Sequence, residues 1–275
     1  MDTILQAIVI GIVQGVTEFL PISSSGHLIV VPDLLGWDDA LLTSLPFSVV
    51  LHLGTLVALL AYFWRDWVRL VPAGLAALRD RSFQGEADRR LAWLIAATLP
   101  PAIAVGIALN DAIESSFRQP VLVAAMLAVG SAIMWLADRL GRRALPIERL
   151  SFAGAFGVGC AQALALVPGI SRSGVSISAG LAFGLTREAA ARFSFLMATP
   201  ILAGAGAWET RKLLTGEAGV PVDGPVLAAG FLASLVAGAA AVAVLLRFLR
   251  RHPLTVFIVY RLALAAIVVF VFLDV

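Results

Sequence analysis

Six stretches of this 275-residue sequence are apolar and nearly free of charge, and they limit the possible folds more than any other feature. A helix of roughly 20 apolar residues spans the hydrocarbon core of a bilayer, and each stretch has about that length. We therefore predict an all-α integral membrane protein with six transmembrane helices. The stretches cover residues 45–64, 91–109, 120–137, 193–208, 225–246 and 254–273.

The composition agrees with this prediction. Hydrophobic residues make up 60% of the chain, charged residues 14%, and the mean hydropathy is +0.95. A soluble domain is roughly 45–50% apolar and about 25% charged, so a soluble enzyme is excluded. The net charge of +2 gives no indication of a nucleic-acid partner, and we expect contact with membrane lipid instead.

Two further apolar regions, residues 4–36 and 152–185, are each interrupted near the middle by Ser, Gly and Pro. We predict that each forms a re-entrant hairpin of two short helices, with the second helices beginning at His27 and Val175. A helix start presents free N–H groups, which attract anions.

The two interrupted regions resemble each other at one constant offset of 148 residues. The matched pairs are Gly11 and Gly159, Gln14 and Gln162, Ile22 and Ile170, Ser23 and Ser171, Ser25 and Ser173, and Gly26 and Gly174. We predict an internal duplication within one membrane domain of residues 1–275, with copies at 1–138 and 151–275. Since each copy holds a hairpin and three spans, the second copy is expected to be inverted relative to the first.

The basic residues are distributed unevenly under this topology. Fifteen of the 20 lie in four predicted loops on one side, at residues 65–90, 138–150, 187–192 and 247–253, whereas Arg118, Arg211 and Lys212 lie on the other. Cytoplasmic loops carry the excess of Lys and Arg. We therefore predict a multi-pass protein of the bacterial inner membrane with both termini in the periplasm.

Glu18 and Arg172 are the charged residues at the two interruptions. An ionised side chain at the bilayer centre costs roughly 2.5–3.5 kcal/mol, so both are expected to line a polar cavity. Arg261 lies at similar depth and is expected to bind phosphate, to pair with Glu18 or to have another structural partner. His52, in an otherwise apolar span, is expected to be an interhelical hydrogen bonder rather than a catalyst.

The first cluster runs from Gln14 to His27. Gln14 and Glu18 are four residues apart and share one helical face. Glu18 is suited to bind a divalent cation or to hold a histidine, His27 to act as acid, base or nucleophile, and Ser24 to act as nucleophile. The alternative is that the serines at 23–25 only cap the next helix.

The second cluster places Arg172 between hydroxyls at a glycine-rich helix start. A guanidinium binds two phosphate oxygens at once, while serines and backbone N–H groups bind others. This pattern predicts a phosphate site that also uses Ser171, Ser173, Gly174 and Ser176. From the first cluster, we expect Ser23, Ser25 and Gly26 to bind the substrate as well. The alternative is a structural ion pair between Arg172 and Glu18.

At these clusters the chain resembles the undecaprenyl-diphosphate phosphatase family associated with bacitracin resistance, over essentially its whole length. One motif is (Glu/Gln)-x-x-x-Glu followed by Pro-x-Ser-Ser-(Thr/Ser)-Gly-His, matched by Gln14, Glu18, Pro21, Ser23, Ser24, Ser25, Gly26 and His27. The other is Pro-Gly-x-Ser-Arg-Ser-Gly-x-(Thr/Ser), matched by Pro168, Gly169, Ser171, Arg172, Ser173, Gly174 and Ser176. The resemblance implies hydrolysis of undecaprenyl diphosphate to undecaprenyl phosphate and inorganic phosphate, recycling the carrier for peptidoglycan.

The resemblance also implies a divalent cation, Mg²⁺ or Ca²⁺, and a site open to the periplasm. It makes Glu18 a partner of the metal or of a histidine, Arg172 the diphosphate clamp, and Ser24 and His27 the reacting pair. Attack by Ser24, by His27 or by water stays open. Gln14 replaces the Glu that is common there, which weakens the case for a metal site with two carboxylates.

The main alternative function is a secondary transporter or lipid flippase for an anionic substrate, since inverted repeats and broken helices also build such proteins. The sequence is compatible with a homodimer and does not determine the oligomeric state. Small-residue seams, such as residues 204–207 and 238–241, allow close helix packing within or between chains.

Overall fold

A computed structural model describes residues 2–82, 87–116, 119–214 and 223–273. Within these residues the chain forms twelve α-helices, two single-turn 3-10 helices at Ile147–Arg149 and Leu164–Leu166, and no strand longer than an isolated bridge. The α-helices are α1 (Thr3–Phe19), α2 (Ser24–Leu35), α3 (Leu45–Tyr62), α4 (Trp64–Asp80), α5 (Ala87–Ala97), α6 (Leu99–Ser116), α7 (Pro120–Leu140), α8 (Phe152–Ala163), α9 (Arg172–Ala182), α10 (Arg187–Leu214), α11 (Gly224–Leu249) and α12 (Thr255–Leu273).

Five helical stretches in the described part of the chain are long and apolar enough to cross a membrane, or six if the bent pair α3 and α4 counts as one span. Each of them overlaps one of the apolar stretches in the sequence, with different bounds. The span predicted at 91–109 lies within the continuous stretch Ala87–Ala108, which contains α5 and most of α6. The all-helical, multi-pass class is confirmed. Arg118 lies outside the described residues.

The loop predicted at residues 65–90 is wrong over its first part, because α4 occupies Trp64–Asp80 and bends by 81° from α3. The sequence signal is a helical period: Val68, Val71 and Leu75 recur three or four residues apart and are each more than half exposed. Such spacing gives a helix with one apolar face. We assigned the segment to a loop because of its basic residues and did not consider this helical period.

Both interrupted regions form two helices, as predicted, but the second helices begin three residues earlier than expected. α2 begins at Ser24 and α9 at Arg172. The cause is the preceding serine in each case. Ser23 and Ser171 both adopt φ of 75°, and their hydroxyls accept hydrogen bonds from the N–H groups of Gly26 (3.4 Å) and Gly174 (3.2 Å).

Helix α1 packs tightly against α11 through small residues. A Cβ on Gly11 would lie 2.5 Å from the Gly230 carbonyl oxygen, and one on Gly15 would lie 2.5 Å from the Ser234 carbonyl oxygen. Gly238 belongs to the same contact, so this seam joins helices within the chain. The packing holds α1, which carries Glu18, at a fixed position beside α3 and α11.

Candidate active site

The two interruptions meet in space, as the sequence predicted. Arg172, at the start of α9, donates a short hydrogen bond to Oε1 of Glu18, at the end of α1. Ser173 donates to the Leu20 carbonyl at 3.1 Å. These contacts join residues more than 150 positions apart, so carboxylate and guanidinium face each other in the closed fold.

Glu18 is the centre of the cluster and is 7% exposed. Its Oε2 accepts hydrogen bonds from Ser24 Oγ (2.5 Å) and Gln14 Nε2 (3.1 Å). Arg172 binds the other carboxylate oxygen. A buried carboxylate needs such partners, because an unpaired one is strongly destabilising. The ion pair between Glu18 and Arg172, one of the two predicted alternatives, is present. Both residues also line a cavity.

That cavity has a volume of about 280 Å³ and opens beside the cluster. Ser24 and Arg172 line it, together with Ser23, Ser25 and Ser171. Other polar side chains in the lining are those of Glu18, His52 and Gln162, and its apolar lining includes Ala102, Leu166, Ile201 and Leu202.

Ser24 and Arg172 occupy the same position in the two halves. Each is the first residue of the second helix, and each follows a serine cap with a φ of 75°. Their side chains point to one carboxylate, that of Glu18. One half therefore supplies a hydroxyl and the other a guanidinium at the same place in the local fold.

The structure places His27 away from the cavity wall. Its Nδ1 lies 2.7 Å from the Ser23 carbonyl, which can only accept, so Nδ1 carries a proton. In the neutral ring Nε2 then accepts from the Tyr260 hydroxyl at 2.8 Å. Both ring nitrogens are thus engaged, and the side chain links α12 to the turn that contains Ser23.

His52 lies closer to the cluster than the sequence analysis expected. Its Nδ1 donates to the Ser48 carbonyl at 2.8 Å within its own helix, so this hydrogen bond is not the interhelical one that the sequence analysis expected. Its Nε2 lies 3.9 Å from Oε2 of Glu18 and faces the cavity. The signal in the sequence was a histidine at depth in α3, but nothing local indicated that this face of α3 meets Glu18.

The remaining predicted phosphate residues are mostly structural in their contacts. Ser25 and Ser173 approach the capping hydroxyls of Ser23 and Ser171, at 3.3 Å in both cases. Ser176 is turned away from the cavity and bonds the Arg172 carbonyl (2.6 Å) and Ser194 Oγ (2.6 Å). Gly26 and Gly174 supply the N–H groups that their caps bind.

Arg261 binds neither Glu18 nor the cavity, and is fully buried. Its guanidinium donates to five oxygens. The acceptors are Ser131 Oγ (3.1 Å) and the carbonyls of Pro21 (3.4 Å), Leu127 (3.1 Å), Gly169 (2.8 Å) and Ile170 (3.1 Å). Since Pro21 belongs to the first interruption and Gly169 and Ile170 to the second, one side chain ties both together.

The described residues contain no group of three or more His, Cys, Asp or Glu side chains placed to hold a metal ion. One observation nevertheless fits a cation: Oε1 of Gln14 is buried beside Glu18 and has no hydrogen-bond partner among the described residues. A carboxylate and an amide oxygen are hard ligands, and Mg²⁺ commonly uses one or two carboxylates together with substrate phosphates. The residues therefore fit a cation that binds with a diphosphate.

The fold and the site define a multi-pass helical membrane protein with a cavity lined by Glu18, Ser24 and Arg172, where two interrupted helical regions meet. The sequence model of the family described as "Bacitracin resistance protein BacA" matches residues 7–267. The chain belongs to this family.

Three relatives that align with nearly the whole chain have the same name. A protein of Moorella thermoacetica named undecaprenyl-diphosphatase is 46% identical over 271 residues, covering 98% of each chain. Relatives with the same name in Rubrobacter xylanophilus and Thermomicrobium roseum are 45% and 46% identical over 98% and 97% of each chain.

Proposed function

We propose that this protein is a membrane hydrolase that converts undecaprenyl diphosphate to undecaprenyl phosphate and inorganic phosphate. The family and the shared name of its relatives support this activity. The observation that carries it is the convergence of Ser24, Glu18 and Arg172 on one cavity. In this role the protein recycles the lipid carrier for peptidoglycan synthesis and contributes to bacitracin resistance.

The diphosphate binds to the polar residues that line the cavity. Arg172 releases one contact with Glu18 and clamps phosphate oxygens, because a guanidinium matches two oxygens at once. The free N–H groups at the starts of α2 and α9 add anion-binding capacity. The apolar lining residues Ala102, Ile201 and Leu202 contact the beginning of the prenyl chain.

Ser24 is the attacking group in this proposal. Its hydroxyl lines the cavity and already donates to Glu18, whereas both ring nitrogens of His27 are engaged elsewhere. The Ser24 oxygen bonds to the terminal phosphorus, its proton passes to Glu18, and the bond to the bridging oxygen breaks to release undecaprenyl phosphate. Water then cleaves the phosphoserine and restores the hydroxyl.

His27 acts as a positioning residue in the same proposal. It fixes the Ser23 carbonyl and so holds the turn from which Ser24 projects. A divalent cation, Mg²⁺ or Ca²⁺, neutralises charge on the diphosphate oxygens when it is bound. Glu18 and Oε1 of Gln14 are the chain's groups that would hold it.

We further propose that the two halves are an inverted repeat of three spans and one re-entrant region each, with both termini in the periplasm. Ser23 and Ser171 have the same φ, and their hydroxyl oxygens lie at the same distance, 3.3 Å, from those of Ser25 and Ser173. Both equalities support a common origin. The clustering of basic residues supports the orientation. The homodimer stays a prediction.

The first experiment measures phosphate release from undecaprenyl diphosphate by the purified protein in detergent, with and without Mg²⁺ or Ca²⁺. Glu18→Ala and Arg172→Ala are the test variants, and Arg211→Ala, an exposed arginine outside the cavity, is the matched control. Cation-dependent release that both test variants abolish supports a lipid diphosphatase. A folded wild-type protein that releases no phosphate refutes the proposal and favours the transporter or flippase alternative, which a lipid-translocation assay in proteoliposomes then tests.

A further inference from the structure

The mechanism above does not use the amide of Gln162, a buried polar group that lines the cavity. The side chain is 4% exposed and lines the same cavity as Glu18, Ser24 and Arg172. Neither its Nε2 nor its Oε1 has a hydrogen-bond partner among the described residues. A buried amide without a partner is destabilising, so an amide kept in this state at a ligand cavity points to a ligand.

Comparison of the two halves explains why this amide is unpaired. Gln14 and Gln162 correspond at the offset of 148 residues, and both are buried one turn before an interruption. In the first half Glu18 follows four residues later and accepts from Gln14 Nε2 at 3.1 Å. In the second half that position is Leu166, which offers no acceptor. The Nε2 donor of this glutamine is thus bound internally in the first half and has no partner among the described residues in the second.

The surroundings of the amide select the class of ligand. Arg172 and the serines at the helix starts make this cavity suited to anions. A carboxamide N–H is a hydrogen-bond donor that adds to such a site without changing its charge. We propose that Gln162 is a substrate-binding residue whose Nε2 donates to a non-bridging oxygen of the diphosphate. This assignment rests on the proposed hydrolase activity.

Gln162→Leu separates binding from structure, because the two roles move the measurements in opposite directions. Leucine is similar in size and removes the unpaired polar group, so the unfolding temperature should stay the same or rise. Loss of a hydrogen bond to a charged phosphate should lower kcat/KM by about 10- to 100-fold, mostly through KM. Gln6→Leu, the same change on α1 at a half-buried position outside the cavity, should leave both unchanged.

Gln162→Glu tests which amide atom is used. The carboxylate keeps the shape and the acceptor but replaces the N–H donor with a negative charge. We expect a larger loss of kcat/KM than for Gln162→Leu, since the phosphate is repelled. Near-wild-type activity of Gln162→Glu would overturn the donor role and would indicate that the oxygen is the functional atom.

The chain length of the substrate provides the last comparison. A residue that contacts only the head group should lower kcat/KM by the same factor with undecaprenyl diphosphate and with farnesyl diphosphate. A factor that differs between them, or an unchanged kcat/KM in an active wild-type background, would refute the assignment of Gln162 alone. A folded wild-type protein without phosphatase activity would refute the proposed function, and the assignment with it.

Discussion

Substitution of Arg261 tests whether the closed arrangement of the two interruptions depends on one buried guanidinium. Arg261 donates to five oxygens, four of which are backbone carbonyls. In Arg261→Lys the ammonium keeps the charge but has three donors, so at least two of the five acceptors lose their hydrogen bond from this side chain. The Leu127 carbonyl also accepts from Ser131 Oγ, so at least one buried acceptor is left unpaired. At about 1–3 kcal/mol for each unpaired buried group, the free energy of unfolding should fall by at least about 1–3 kcal/mol.

This loss is measurable as a lower unfolding temperature of the detergent-purified protein. A change of 1 kcal/mol shifts the transition by roughly 2–4 °C in a protein of comparable size, so a decrease of at least about 2 °C is expected. Phosphate release should also fall at temperatures well below the transition, because the Pro21 and Gly169 carbonyls lie in the turns that precede the reacting residues. Arg211→Lys is the control, since Arg211 is exposed and contacts the Trp208 ring at 5.5 Å.

A second variant approaches the same contact from the other side. A Cβ on Gly130 would lie 2.2 Å from Nη2 of Arg261, so Gly130→Ala should displace the guanidinium and lower the unfolding temperature as well. If Arg261→Lys unfolds at the wild-type temperature and keeps full activity, the guanidinium does not hold the two interruptions together and the argument fails.

Four further substitutions test other parts of the site and fold. Arg172→Lys should lower kcat/KM at least about tenfold without changing the unfolding temperature, because a point charge cannot make the bidentate contact; near-wild-type turnover would contradict the clamp. Ser24→Ala should lose about 1,000-fold or more in kcat, and mass spectrometry of acid-quenched wild-type protein should find phosphate on Ser24, whereas phosphohistidine would refute serine attack. Gln14→Glu should shift the Mg²⁺ titration of activity to lower concentration, and an unchanged titration would remove Gln14 from the metal site. Gly15→Ala should lower the unfolding free energy by about 1–3 kcal/mol, because its Cβ would lie 2.5 Å from the Ser234 carbonyl oxygen; an unchanged unfolding temperature would show that α1 and α11 can separate without cost.

The two halves place different side chains at equivalent positions, and this difference brings together groups that can react with a phosphate as well as bind it. Equivalent positions hold Ser24 and Arg172 after the caps, and Glu18 and Leu166 before them. One half therefore contributes the hydroxyl and its carboxylate partner, while the other contributes the guanidinium. A duplicated scaffold with identical clusters would place two like charges together and would be destabilised by their repulsion.

The sequence alone determined the class of this protein and the places where its chemistry lies. Apolar runs of bilayer length have few alternatives to helices in a membrane, and charged residues at that depth are expensive enough to mark a cavity. Motif spacing also identified the two clusters that meet, including the pairing of Glu18 with Arg172 as one alternative. Local rules failed at helix starts, where the serine caps moved the boundaries to Ser24 and Arg172.

Only the tertiary structure decided which polar groups are bound and which are free. Arg261 reaches a carbonyl 240 residues away, His27 bonds Tyr260 across 233 residues, and His52 approaches Glu18 from a different helix. None of these contacts has a period or motif in the chain, because a hydrogen bond depends on the relative position of helices rather than on local spacing. The amide of Gln162 shows the division: the sequence places Leu166 where the first half has Glu18, but only the structure shows that Gln14 Nε2 reaches Glu18 and that the Gln162 amide has no partner among the described residues.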